Sequence, residues 1–498
     1  MPPEYVGAID QGTTGTRFVI VDRDGNVVES AYETHEQFYP QPGWVEHDPT
    51  EIWENTTSVV ERALSTAGVD AGALAAIGVT NQRETTLGWE RSSGNPIGRA
   101  IVWQDRRTAE RVEELVDAGR EPSIRRKTGL PVDAYFSATK LEWLLDERDL
   151  RSRAAAGEVA FGTIDAWLLF CLTGAHVTDV TNASRTMLFD IESLEWDDDL
   201  LAEFGVPRAM LPGVRPSIVE EPYGYTDPDL LGAEIPVTAA LGDQQAALFG
   251  QTCFARGESK NTYGTGSFVL MNTGTEPVES ERGLLATVAF QRAGEPARYA
   301  LEGSIFATGA AIEWLVEVGL IVDVADTEAH AARVDSTDGV YLVPAFSGLG
   351  APHWDGRARG TIVGLTRGTR REHLVRAALE STAFQTRDVL EAMEAESGTD
   401  VPVLRVDGGA VRNDVLCQLQ ADLVGTEAVR PTVTETTALG AAYAAGLAVD
   451  YWTSLDDLRD HWQVDRRFTP RDDAHDADRR HTRWLAAVER SKGWAIEE

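Results

Sequence analysis

Two stretches of this chain carry one pattern, and any fold has to accommodate both. Tyr5 to Asp22 reads YVGAIDQGTTGTRFVIVD. Small, aromatic and β-branched residues predict a strand to Ile9, Gly12 and Gly15 a sharp turn, and Arg17 to Val21 a second strand. Lys260 to Gly274 reads KNTYGTGSFVLMNTG, again a strand, a Gly/Thr turn at Gly264, Thr265 and Gly266, and a β-rich run from Phe268. The first turn offers backbone N–H groups and the hydroxyls of Thr13, Thr14 and Thr16 to one point, with Arg17 beside them, which suits an anionic phosphate. Asp10, at the end of the first strand, is placed to hold a magnesium ion directly or through water. A plain hairpin whose Gly and Thr serve only the turn is the alternative for either copy alone. The repetition favours duplicated domains facing one nucleotide from both sides. No lysine follows the glycines as in a P-loop, and the turn leads into a strand, unlike a dinucleotide fingerprint.

A length of 498 residues agrees with two domains of similar size, 1–250 and 251–498. Hydrophobic residues make up 43% and run throughout, which excludes wholesale disorder. Eighty acidic against 45 basic residues give a net charge of −35, so nucleic acid and anionic membranes are poor partners. Lysine is confined to Lys127, Lys140, Lys260 and Lys492, arginine supplying the rest, a pattern that resembles proteins of salt-accumulating organisms. Cys171, Cys253 and Cys417 are far apart and in no metal-ligand spacing, which predicts buried thiols without disulfides. The N-terminus has no basic-then-apolar leader, and the small-apolar run from Ala438 to Val449 is too short to span a bilayer. A soluble, cytoplasmic protein without membrane insertion is expected.

In chain order, Asp24-Gly25-Asn26 predicts a turn into a third strand, Val27 to Ser30. Asp48 predicts a helix N-cap, with Pro49 at the first position, Glu51 completing a capping box and Ile52, Val59, Ala63 and Leu64 inward to about Ala67. A strand from Ala75 to Thr80 delivers NQRETT at its C-terminal end, where open α/β sheets bind ligands. Arg83 and Glu84 are adjacent, so both serve one ligand only if the backbone turns there; the default reading is a surface ion pair. Ala100 to Val102 similarly delivers Trp103, Gln104 and Asp105. A helix is predicted from Ser137 to Leu145, and a strand from Val159 to Thr163 enters a helix whose Asp165 and Trp167 read as structural. Thr178 to Thr186, TDVTNASRT, reads as a polar loop. Pro236 to Leu241 predicts a strand ending in Gly242-Asp243-Gln244-Gln245, where Asp243 is either a catalytic carboxylate or a helix cap. In the second half, strands are predicted near 285–290, 298–301, 341–345 and 403–406. Helices are expected after Gly303, over 372–395 and 438–449, and around Trp484 behind an acidic stretch from Asp472. Asp407 to Asn413, DGGAVRN, lets a flat ring or phosphate approach the backbone.

The series IDQGTTGTR, NQRETT, VWQDRRT, GDQQAALFGQ, NTYGTGSF, GLGAPHWD and DGGAVRND, from Tyr5 to about Trp452, resembles the glycerol kinases, carbohydrate kinases of the actin and hexokinase ATPase superfamily. The resemblance implies an α/β fold of two duplicated actin/hexokinase-like (ribonuclease H-like) domains with the active-site cleft between them, and ATP-dependent phosphorylation of glycerol to sn-glycerol 3-phosphate. By position it places glycerol on Arg83, Glu84, Trp103, Tyr135, Asp243, Gln244 and Phe268, with Asp243 as general base. It places the ATP phosphates on Thr13, Thr14, Gly15, Arg17 and Thr265, Mg2+ near Asp10, and the nucleoside near Gly309, Glu313, Gly409 and Asn413. Two departures stand out: Gly15 replaces a frequent serine, and Glu313 a frequent glutamine. A homo-oligomer, a dimer, is also expected. The competing readings are a kinase for another polyol or a ketopentose on the same fold, and an actin-like ATPase that drives partner binding. The second leaves the polyol residues unexplained as a group, and NQRETT with WQDRRT favours glycerol over the first. The bisphosphate-binding loop of bacterial relatives corresponds to Tyr223–Val237, which has no basic residue and carries Asp227, Asp229 and Glu234.

Overall fold

Strand pairing around the two Gly/Thr hairpins sets the architecture in the computed structural model, which describes residues 3–471 and 474–495. Asp472, where the acidic stretch begins, lies outside the described residues. The first hairpin pairs β1 (Tyr5–Gln11) with β2 (Gly15–Asp22), Asp10 opposite Arg17. The Asp24–Asn26 turn, with Gly25 at φ 79°, returns the chain as β3 (Val27–Thr34), longer than the sequence pattern marks.

Helix α1 (Pro49–Ala67) begins where expected, the Asp48 side chain accepting from the Thr50 N–H at 2.8 Å and Gly68 closing the helix at φ 65°. Its four inward residues are buried. The capping box does not form, because Glu51 accepts the Glu36 N–H at 3.1 Å and so ties the helix to the loop after β3. β4 (Leu74–Asn81) and β5 (Pro236–Gly242) then add parallel to β1, giving the order β5-β4-β1-β2-β3, and α2 (Asp243–Gly250) leaves β5 directly.

The second half repeats this. β6 (Ser259–Tyr263), β7 (Ser267–Gly274) and β8 (Arg298–Ile305) are antiparallel neighbours. After α3 (Gly309–Glu317) and α4 (Arg371–Ser397), β9 (Val403–Asp407) adds parallel to β6 and β10 (Glu427–Pro431) to β9. The order β8-β7-β6-β9-β10 matches β3-β2-β1-β4-β5 strand for strand, with further edge strands at Gly224–Tyr225, Leu285–Phe290 and Val464–Phe468.

The sheets are joined by helices of small residues. α5 (Thr436–Ala448) follows β10 in sequence yet packs on β1, β4 and β5 and crosses α2. At that crossing a Cβ on Gly440 would lie 1.8 Å from the Ala246 carbonyl oxygen and one on Gly250 2.1 Å from that of Thr436, so only glycine allows the backbones to meet. One buried cluster consequently runs from Val6 and Ala8 through Phe249 and Ala441 to Leu270 and Ala300. α6 (Ala474–Ser491) docks by stacking Trp484 on Phe384, ring centroids 5.3 Å apart, while Asp388 accepts from Trp484 Nε1 at 2.8 Å and lies 2.6 Å from His481 Nε2. An arginine-rich cleft of about 700 Å³ beside it is balanced internally, with Arg480 on Glu380 at 2.9 Å and Arg471 on Asp422 at 2.7 Å.

The polar segment 178–186 is not a loop. Its start completes a strand, Val177–Asp179, a helical turn follows over Val180–Ala183, and all of 178–186 is buried. Burial is tolerated because the polar groups satisfy one another: Asp179 accepts the Thr181 and Asn182 N–H groups at 2.9 Å and the Ser217 hydroxyl at 2.7 Å. Asp165 likewise accepts the Thr163 hydroxyl at 2.5 Å, a structural role. Cys253 and Cys417 are buried, Cys171 half-buried, and all three are free thiols. No helix among the described residues is long and apolar enough to cross a membrane.

Candidate active site

β4 ends at Asn81, and the backbone then turns: Glu84 adopts φ 62°, and the Thr85 N–H closes onto the Arg83 carbonyl at 2.7 Å. The turn the adjacency required is present, so both side chains reach the same space. They are not a surface ion pair. Arg83 is 3% and Glu84 2% exposed, 4.0 Å apart, and each has a closer partner. Arg83 donates to Glu302 at 2.5 and 3.0 Å and to Gln245 Oε1 at 3.3 Å, and its Nε lies 3.1 Å from Asp243 Oδ1. Glu84 accepts from Arg185 Nε at 2.7 Å.

Asp243 stands at the first position of α2, so strand β5 and the helix start aim it at Arg83. The Arg83 guanidinium lies 5.8 Å from the Phe268 ring centroid. Trp103 and Tyr135 pack edge to face with centroids 5.5 Å apart. Buried Lys140 braces the Tyr135 segment by donating to the carbonyls of Tyr135 and Phe136 at 2.8 and 3.1 Å; burial lowers its pKa to about 7. Gln244 Oε1 accepts from Lys260 Nζ at 2.5 Å, which leaves the amide hydrogens for another acceptor. Burial lowers Lys260 to about 8 against the pull of Asp407 and Asp243. The structure thus gathers Arg83, Glu84, Trp103, Tyr135, Asp243, Gln244 and Phe268 at the seam between the halves. The charges inside it are strongly perturbed. Burial alone raises a carboxyl, yet Arg185 and Arg83 outweigh it and hold Glu302 at about 2. Glu84, hydrogen-bonded to one guanidinium where Glu302 has two, is pushed up by burial.

Beside this seam lies a cavity of about 360 Å³ lined from the first hairpin by Asp10, Gly12, Thr14, Gly15 and Arg17, and from the second half by Asp407, Gly408, Gly409, Arg412 and others. The two cations in its lining, Arg17 and Arg412, suit phosphate oxygens. A Cβ on Gly15 would lie 2.3 Å from the Glu33 carbonyl oxygen, so this turn has no space for a serine. Thr13 connects the two regions, its hydroxyl accepting from Trp103 Nε1 at 2.9 Å. Asp10 is raised to about 7 by burial, Arg17 opposing and Asp243 adding to the rise. Asp10, which lines this phosphate-sized cavity together with Asp407 and Glu435, fits magnesium, which keeps waters and takes one or two carboxylates plus phosphates.

Five expected nucleotide residues do not line this cavity: Thr13, whose hydroxyl meets Trp103, and Thr265, Gly309, Glu313 and Asn413. The turn carrying Thr265 instead docks on the start of α3, Thr308 and Gly309 donating to the Thr265 and Gly264 carbonyls at 2.9 and 3.1 Å, and Glu313 is exposed on that helix. Asn413 caps the following helix, accepting the Leu416 N–H at 3.0 Å and donating to Thr327 at 3.1 Å, so its side chain is already engaged.

Beneath the first hairpin, His47 Nε2 meets Gln37 Oε1 at 2.7 Å, Gln37 Nε2 donates to the Thr13 carbonyl at 2.9 Å, and Gln82 Nε2 lies 3.3 Å from His47 Nδ1. Both neighbours are satisfied only by a neutral ring with its proton on Nε2. Burial, with His35 beside it, lowers His47 to about 3 from 6.5. A base whose folded pKa is depressed gives stability that is complete above pH 6.5 and lost as pH falls toward 3. Thermal midpoints are expected to fall on acidification from pH 6.5 to 5, and His47→Gln to flatten that part of the curve, the His47 share being on the order of a few kcal/mol.

Two β-sheets of one topology, a phosphate-suited cavity between their hairpins and a polar, aromatic-walled site beside it define a two-domain ATP-dependent phosphotransferase of the actin and hexokinase type. The chain belongs to the FGGY family of carbohydrate kinases: the family's N-terminal domain matches residues 5–250 and its C-terminal domain residues 259–449. It is 66% identical to a glycerol kinase of Haloferax volcanii, over 99% of both chains, and 54% identical to one of Burkholderia cenocepacia, again over 99% of both. Its fold matches the crystal structure of Plasmodium falciparum glycerol kinase with ADP at a TM-score of 0.92 and 37% identity, covering 99% of each chain.

Proposed function

We propose that this chain transfers the γ-phosphoryl group of ATP to a terminal hydroxyl of glycerol, giving sn-glycerol 3-phosphate, ADP and a proton. The observation that carries this reading is the buried Arg83–Glu84–Asp243 group walled by Trp103, Tyr135 and Phe268 and joined through Thr13 to the phosphate cavity. Arg83 and Glu84 hydrogen-bond the hydroxyls of a short polyol, and the rings cover its carbon skeleton. Asp243 takes the proton of the attacking hydroxyl. Thr13, Thr14, Gly15 and Arg17 hold the phosphates, with Gly409 at the nucleoside; Thr265, Gly309 and Asn413, which lie outside the cavity lining, have that role from the family resemblance alone. Magnesium, near Asp10, supplies charge neutralisation on the phosphates when bound. Residues 1–250 thus contribute most of the acceptor site and 251–498 the nucleoside side.

ADP release measured over a panel of polyols and ketopentoses tests the assignment: glycerol is the expected best substrate, and xylulose turned over more efficiently would overturn it. Fructose 1,6-bisphosphate is expected not to inhibit, because segment 223–237 presents carboxylates only and Asp227 is used to cap the Asp229 N–H at 2.9 Å. Inhibition with the bisphosphate mapped to this segment would refute that.

A further inference from the structure

The acceptor site contains two buried charges that neither the repeated hairpins nor the proposed chemistry uses. Glu302 lies within β8, opposite Leu270 of β7, in the second half of the chain, and Arg185 lies just beyond the helical turn of the 178–186 segment in the first. Both are 0% exposed. Together with the proposed contacts they form one file of alternating sign: Asp243, Arg83, Glu302, Arg185, Glu84. The links are 3.1 Å from Asp243 to Arg83, 2.5 and 3.0 Å from Arg83 to Glu302, 3.1 Å from Arg185 to Glu302 and 2.7 Å from Arg185 to Glu84.

We propose that Glu302 and Arg185 are positioning residues of the phosphoryl-acceptor site, fixing Arg83 and Glu84 in the one arrangement that accepts a short polyol; this rests on the polyol-kinase reading above. Glu302 grips both terminal nitrogens of Arg83, which fixes the plane of the guanidinium. Without that grip the nearest carboxylate to Arg83 is Asp243, and Arg83 turns onto it, occupying the oxygens that a substrate hydroxyl needs. Arg185 acts at the other end. Among the described residues Glu84 has one guanidinium at hydrogen-bond distance, that of Arg185, since Arg83 lies 4.0 Å away. The same guanidinium lies 5.8 Å from the Tyr135 ring centroid and 5.5 Å from that of Phe136, so one side chain orients both Glu84 and the aromatic wall. Because Glu302 comes from the other half of the chain, the acceptor site is complete only when the halves meet here. The bland alternative is a buried ion cluster that only holds the interface, and it predicts lost stability with unchanged substrate selectivity.

The test compares the full-length protein with Glu302→Gln and Arg185→Lys, measuring kcat and KM for glycerol and for ATP, the efficiency on glycerol relative to erythritol, and the thermal midpoint. Removing one partner of a buried charge pair is expected to raise the glycerol KM about 30-fold in Glu302→Gln, with the ATP KM within about 2-fold of the parent. Arg185→Lys keeps the cluster charge, and so the fold, but its single ammonium cannot serve two carboxylates; a smaller rise in glycerol KM and a reduced preference for glycerol over erythritol are expected. Unchanged glycerol KM and preference in Arg185→Lys, or equal increases in both KM values in either variant, would overturn the positioning role while the parent's glycerol turnover left the kinase reading intact. No glycerol turnover by the parent would overturn both.

Discussion

Replacing Asp243 by asparagine is expected to lower kcat on glycerol by about 10²-fold or more, the scale of a general base, with little change in the KM for ATP. The geometry singles out this carboxylate. Its side chain is 28% exposed, against 2% for Glu84 and 0% for Glu302, both hydrogen-bonded to guanidinium groups, so of the three it is the most open and the least committed to a cation. The Gln244 N–H donates to Oδ1 at 2.7 Å and Arg83 Nε lies 3.1 Å from the same oxygen in an ion pair, which leaves Oδ2 to take a hydroxyl proton. Asparagine keeps the size of the side chain and one oxygen for Arg83 and Gln244, so fold and binding persist while proton acceptance is lost. Positioning and the charges around the phosphates continue to act, which keeps the residual rate above that of solution. Near-normal kcat with a raised glycerol KM would make Asp243 a binding contact, and a lowered thermal midpoint with normal kinetics would make it a helix cap.

The sequence exposes some of this site and conceals the rest for physical reasons. The two hairpins are legible because glycine and threonine mark a turn locally, and the matched strand orders follow from them. Helix α1 is legible because its cap, first turn and inward face all lie within a few residues. Arg83 and Glu84 are found by their place at a strand end, but their burial is not, since it depends on Arg185 and Glu302 far along the chain. Arg185 is missed because a run of threonine, asparagine and serine reads as solvated loop, when here its polar groups pair with one another in the interior. Glu302 did leave a signal: a lone carboxylate inside the apolar run Tyr299–Ile305 must be paired or strained. Arg412 sits within DGGAVRN, and only the folded cavity distinguishes it from an exposed turn residue.

Salt is the second large effect expected, and it follows from a net charge of −35. Two carboxylates 10 Å apart in water repel by about 0.4 kcal/mol unscreened, about 0.15 at 0.1 M salt and almost nothing at 1 M. Relief of one such contact for each excess carboxylate amounts to about 5 kcal/mol at most, because the unfolded chain is self-repelling too, and a rise in thermal midpoint of about 5 °C is the corresponding scale for a chain of this length. Screening also weakens attractions. Exposed pairs such as Arg208 with Asp198 at 2.7 Å contribute no more than about 1 kcal/mol each, and salt removes part of that. The acidic excess has no such partners, so repulsion dominates the balance. The active-site charges stand outside it: Arg83, Arg185, Glu84 and Glu302 are shut away from solvent ions, so the acceptor site keeps its electrostatics in concentrated salt. Scarcity of lysine fits the same demand, since Lys140 and Lys260, half of the four, are buried beside the site rather than spread on the surface. Thermal midpoints and glycerol turnover followed in potassium chloride from about 0.1 to 3 M should therefore rise together. A midpoint that is flat or falls over that range would mean that ion-pair screening outweighs carboxylate repulsion, and the acidic surface would then need another explanation than salt.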